Sequence, residues 1–123
     1  MDNAVVIPTV LKEILDYCDT IDNLIERFGY DEETFLEDAA FKMSCTFALM
    51  QIGENVKRIE EWLTSNSGSV RWKAIRRFRC LVAHNYGKAD HSMIWKMLTT
   101  DHPVIKSEIK RLASEVGGPD SYN

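Results

Sequence analysis

Apolar residues recur at helical spacing almost from one end of this chain to the other, while runs of strict alternation bounded by turn residues are missing. An apolar stripe of that period is buried only when another helix faces it. The chain is therefore expected to be all-α, an up-and-down helical bundle with an added C-terminal helix. At 123 residues, folding should bury roughly two-thirds of the unfolded surface, enough for one core. Residues 1–116 are read as that single domain and Gly117 to Asn123 as a flexible polar tail.

The first helix is expected from about Ile7 to Phe28, with Pro8 in its first turn, one stripe through Leu11, Ile14, Leu15, Cys18, Ile21 and Leu24, and Gly29 ending it. Asp31 suits an N-cap for a short turn through Phe35 and Leu36. A long helix should follow from Asp38 to Ser65, its near-heptad seam running from Phe41 through Cys45, Leu49, Ile52 and Val56 to Leu63. The polar stretch from Thr64 to Ser69 reads as a surface loop. A third helix is expected from Val70 to Tyr86, terminated by Gly87. Asp90 or Ser92 can cap the next, and Pro103 starts the last.

No apolar run approaches the roughly 20 residues of a membrane span, and Met1-Asp2-Asn3 is not a basic leader, so neither export nor membrane insertion is expected. Cys18, Cys45 and Cys80 are odd in number and lack metal-ligand spacing, which fits reduced thiols in a cytoplasmic protein. His91 and His102 read as surface or capping residues, and no third ligand is spaced to complete a metal site with them.

The chain is acidic, with a net charge of -4, yet Arg71, Lys73, Arg76, Arg77 and Arg79 follow one another without an intervening acid. By composition alone a solvated amphipathic face accounts for such a run. The run leads, however, into Arg79-Cys80-Leu81-Val82-Ala83-His84-Asn85-Tyr86. On a regular helix Arg79 and Tyr86 lie about 20° apart and His84 about 140° from Arg79. Either the helix distorts near His84, or the two side chains flank a cleft completed by another element or subunit. Gly53 in mid-helix costs about 1 kcal/mol relative to Ala, and close helix approach is the expected compensation. Glu54 precedes Arg58 by four residues, the favourable order for a surface ion pair, and that pairing is expected ahead of a role in orienting Arg79.

Arg79-x4-His84-x-Tyr86 resembles the RX4HXY signature of HepT-type toxins, members of the HEPN ribonuclease superfamily encoded beside minimal nucleotidyltransferase (MNT) antitoxins. Phe35-Leu36-Glu37-Asp38 is similar to the family's FLED segment and Ile52-Gly53-Glu54 to its IGE segment. Trp72 stands seven residues before Arg79, and Trp95 with Asp101-His102-Pro103 resembles downstream landmarks. The sequence departs from the family at Cys80, where a polar residue usually follows the Arg, and at Arg71, where Pro is usual.

The resemblance implies a HEPN-like bundle and metal-independent endoribonuclease chemistry with no cofactor for cleavage. Arg79 would hold phosphate oxygens and His84 would transfer protons, the second proton-transfer group coming from the other copy of a homodimer. Tyr86 would be the acceptor for AMP, attached by the nucleotidyltransferase antitoxin using ATP and Mg²⁺. Arg71, Lys73, Arg76, Arg77 and Asn85 are weaker candidates for RNA contact. A binding subunit with weakened catalysis, favoured by Cys80, and a plain helical scaffold are the competing readings.

Overall fold

The computed structural model describes residues 3–117, and the side chains of all of these except 3–5, 81, 83 and 84. The chain forms α1 (Asn3–Phe28), α2 (Glu32–Glu37), α3 (Ala39–Arg58), α4 (Glu60–Asn66) and α5 (Trp72–Asn85). A 3₁₀ turn (Tyr86–Lys88), α6 (His91–Lys96), a π-helical turn (Met97–Asp101) and α7 (His102–Gly117) complete it. The described residues include no strand.

Three aspartates start helices. Asp31 accepts from the Thr34 N–H, Asp38 from the Phe41 N–H and Asp90 from the Met93 N–H, each satisfying a donor that the first helical turn leaves open. Gly29, at φ 108°, lets the chain leave α1 in the left-handed region.

α3 lies between α1 and α5, and α7 packs on α1. α1 and α3 are antiparallel: Phe28 stacks on Phe41 at 4.8 Å at one end, and Glu13 holds Arg58 at 2.9 Å towards the other. The expected stripes are the core: Leu11, Ile14 and Leu15 of α1, Leu49 and Ile52 of α3, and Ile109 of α7 are buried. Each such side chain contributes about 1.5–3 kcal/mol on burial. Phe35 and Trp95, far apart in sequence, meet at 5.1 Å beside Phe41, so two of the sequence landmarks join α2 to α6.

Several local expectations are corrected. α1 starts at Asn3 rather than Ile7, so Pro8 lies inside it, lacking the N–H that would bond the Ala4 carbonyl. The long helix breaks at Ile59 (φ -129°, ψ 24°), which redirects α4 so that Glu60 pairs with Arg76. Ser67, expected on a surface loop, is buried: its hydroxyl bonds Glu108 and its carbonyl accepts from the Trp72 indole at 3.3 Å. α6 passes into α7 through the π turn instead of ending before Pro103. Gly117 closes α7, and the rest of the expected tail, 118–123, lies outside the described residues. Cys18, Cys45 and Cys80 are unpaired thiols, and burial pushes the first two up to about 12. No described helix is long and apolar enough to cross a membrane.

Candidate functional site

The site grows from the contact between α3 and α5. At Gly53 a Cβ would lie 2.9 Å from the Ile75 carbonyl oxygen and 3.0 Å from the Arg79 Cβ, so the absent side chain is what lets the α5 backbone settle there. Close approach, the expected compensation for a mid-helix glycine, is what the structure contains. One residue on, Glu54 Oε2 stands 2.7 Å from Arg79 Nε. The expected Glu54–Arg58 pair is absent: Arg58 turns instead to Glu13 and Asn55, each at 2.9 Å.

The Glu54–Arg79 contact is an ion pair but not a well-formed hydrogen bond, because the N–H is not aimed at the oxygen and Oε2 is buried without a donor. Both side chains are about one-third exposed (36% and 38%). The carboxylate thus fixes the inner edge of the guanidinium. Its two terminal nitrogens carry no hydrogen bond among the described residues and remain available to an anion.

α5 sorts its other cations by face. Arg76 pairs with Glu60. Arg71, Lys73 and Arg77 are exposed and make no ion pair among the described residues. His84 belongs to α5 by its backbone, so its register is 140° from Arg79 as expected for a regular helix; its side chain lies outside those described. Asn85 is exposed and leaves helical geometry at φ -151°, ψ 41°. Gly87 is not the left-handed terminator expected of it, since Gly29 alone among the described residues has positive φ.

That exit at Asn85 takes Tyr86 out of α5 itself but leaves it on the side that Arg79 presents to α3. Tyr86 opens the 3₁₀ turn instead, and its ring meets His91 edge-on at 5.1 Å. Its hydroxyl is buried without a hydrogen bond. Burial raises the phenol pKa, opposed by the neighbouring Thr46 hydroxyl, which itself donates to the Lys42 carbonyl at 2.7 Å. Arg79 and Tyr86 therefore both face α3, at Glu54 and Thr46, positions about 12 Å apart along a helix. His91, expected as a surface or capping residue, opens α6 half-buried, with a buried Nε2 that has no hydrogen bond among the described residues. His102 is likewise corrected: it is buried, with Nε2 3.1 Å from the Cys18 carbonyl oxygen.

Sequence reasoning missed Thr46, which has no local signal. It also missed an exposed apolar ridge on α3: Met43 and Phe47 are 57% and 56% exposed, and Met50 is half-buried one turn nearer Glu54. Their spacing of four and three residues is a second stripe, offset from the core seam.

Comparison with known proteins gives these positions a context. The chain is 28% identical over 114 residues to a Methanocaldococcus jannaschii protein named "Putative RNase MJ1216", covering 93% of each chain. It is 27% identical to "Putative RNase MJ0125" of the same organism, covering 89% of this chain and 93% of that one. It is 24% identical to "Probable ribonuclease HepT" of Thermococcus cleftensis, covering 83% of this chain and 91% of the relative. No solved structure matches. Residues 14–112, which span Glu54, Arg79, His84 and Tyr86, match the family described as Ribonuclease HepT-like, and the chain belongs to that family.

Proposed function

We propose that this protein is the ribonuclease toxin of a pair whose antitoxin is a nucleotidyltransferase, and that it cuts RNA at a composite site made by two copies of the chain. Membership of the HepT-like ribonuclease family supports ribonuclease activity in general. The observation that carries the finer reading is the guanidinium of Arg79, seated by Gly53 and Glu54 with its terminal nitrogens open.

The chemistry is transesterification. The 2′-hydroxyl attacks the adjacent phosphorus, the 5′-oxygen leaves, and a cyclic phosphate remains on the upstream fragment. A base must take the hydroxyl proton, an acid must supply one to the leaving oxygen, and positive charge must meet the developing charge on phosphate. Arg79 serves the last role. His84 serves one proton transfer, and the same residue of a second copy serves the other. The exposed Met43 and Phe47, on the same face of α3 as Glu54 and roughly two to three turns from it, offer an apolar surface for that second copy. AMP transfer to Tyr86, with ATP and Mg²⁺ used by the antitoxin, silences the toxin.

Cys80 after Arg79, together with the neutralising Glu54, favours the second reading, a binding subunit that holds its partner without cutting RNA. Incubation of the purified protein with RNA in EDTA separates the two. Cleavage with cyclic-phosphate ends is expected, reduced at least about 10²-fold by Arg79→Ala or His84→Ala. Full activity in a folded His84→Ala protein, or loss of all activity in EDTA, overturns the mechanism.

A further inference from the structure

A second site lies on the other side of α5. Between its first half, the preceding segment at Ser69 and Val70, and the run from α6 into α7 is a cleft of about 670 Å³, within the roughly 300–1,000 Å³ of sites that take small organic ligands. Its floor is apolar. Ile75, Phe78 and Ile105 are buried there, and Val70 and Met97 are half-buried beside them.

The rim is cationic. Arg71, Arg77 and Lys96 line the cleft, all three are exposed, and none makes an ion pair among the described residues. Asp101 is the one acid among the described residues that line it. In a chain of net charge -4, an excess of unpaired cations around an apolar hollow is local charge placement, since Arg76 and Arg79 of the same helix each have a glutamate partner. An apolar guest alone would leave these three cations without a counter-charge. A hydrophilic anion alone would leave the apolar floor wet.

We propose that this cleft binds an amphipathic organic anion, its apolar body on Ile75, Phe78, Met97 and Ile105 and its anionic head held by Arg71, Arg77 and Lys96. Guanidinium forks suit a carboxylate, sulfonate or phosphate head, and the thioether of Met97 adapts to the shape of the body. The site stands apart from Arg79, and the inference does not rest on the ribonuclease reading.

The probe is anilinonaphthalene sulfonate, followed by its fluorescence and by calorimetry on the full chain, with uncharged phenylnaphthylamine as its neutral counterpart. Saturable binding of one sulfonate per chain is expected, with the neutral compound at least about 10-fold weaker, as befits loss of a charge-assisted contact. Arg77→Gln combined with Lys96→Gln should weaken the sulfonate by at least the same factor and leave the neutral compound unchanged. Both substitutions are at exposed positions, so the helical signal and melting temperature should be retained. Ala74→Trp, at an exposed position on the cleft wall, should block both compounds. Absence of saturable binding, equal affinity for the two compounds, or undiminished sulfonate binding in the double variant overturns the proposal.

Discussion

Gly53 and Arg79 are packed so closely that a single methyl group on the glycine would lie 3.0 Å from the arginine Cβ and 2.9 Å from the carbonyl oxygen of Ile75. The second contact decides the outcome, because a carbonyl held in the first turn of α5 cannot swing aside as a side-chain tip can. Two opposite effects meet in Gly53→Ala. Helix propensity favours alanine by about 1 kcal/mol, whereas forcing volume into a packed contact costs about 1–3 kcal/mol. A net destabilisation of up to about 2 kcal/mol is expected in urea unfolding. Stability equal to or above that of the parent would mean that α5 retreats freely, and the seat would then not be rigid.

Glu54 holds one edge of the Arg79 guanidinium, so if Arg79 acts in RNA cleavage as proposed, removal of Glu54 should disturb that cleavage without abolishing the fold. Glu54→Gln retains an oxygen near Nε but loses the charge. RNA cleavage should fall less for Glu54→Gln than for Glu54→Ala, with the difference residing in kcat, because a mispositioned donor is felt most where charge develops. Loss confined to KM would assign Glu54 to ground-state RNA binding, and no loss would remove it from the site.

The arrangement just described shows how far local sequence carries. The cap at Asp31, the helix starts near Asp38 and Asp90, the stop at Gly29 and the apolar stripes were legible because each is dictated by a few neighbouring residues. Gly53 was legible as a close approach, since a glycine inside a helix asks for a reason. Its neighbour was not: Glu54 had an equally good local partner in Arg58, and only the arrival of α5, together with the capture of Arg58 by Glu13, moved it to Arg79. The break at Ile59 contains neither glycine nor proline, and the turn at Asn85 interrupts a helical pattern that continues through Tyr86. Both express tertiary packing, and so does the burial of His102 against α1.

His102 supplies a pH dependence. Burial lowers its pKa, opposed by Asp22 and the Cys18 carbonyl and assisted by Lys106, which also pairs with Asp19 and Asp22. The folded state thus prefers the neutral ring, while the unfolded chain protonates it near the ordinary value of about 6.5. Its contribution is complete above that pH and is lost as pH falls through the lower folded value, because the unfolded state binds the proton first. The melting temperature should decline between about pH 7 and pH 5, and His102→Gln should start lower and decline less. An unchanged slope in the variant would pass the effect to His91, whose pKa burial also lowers.

Cys80 is half-buried and free, beside Arg79 in sequence. An amide at this position keeps access to water, so the penalty of about 1–3 kcal/mol for an unsatisfied buried group should not be incurred in Cys80→Asn. The variant is expected to melt within a few degrees of the parent and to cleave RNA at least as fast. A clear drop in melting temperature with no gain in rate would show that the thiol is a packing group.

Tyr86 brings stability and control into one test. Its hydroxyl is buried beside the Thr46 hydroxyl without a well-formed hydrogen bond, and such a group is a cost to the fold. Tyr86→Phe removes the oxygen and keeps the ring contact with His91, so the variant should be at least as stable as the parent. If AMP transfer to Tyr86 is what silences the protein, the same variant should stay toxic when the nucleotidyltransferase is co-expressed, and the parent peptide should gain the mass of one or more adenylates. A phosphodiester cannot be accommodated where the phenol oxygen now lies against Thr46, so modification requires the ring to leave α3. The adenylated protein should therefore exchange backbone amides faster around residues 86–90 than the unmodified one, while the capped start of α3 stays protected. Silencing of Tyr86→Phe without any adenylate would place control in simple binding by the partner, and a less stable Tyr86→Phe would mean that the hydroxyl finds a partner in solution.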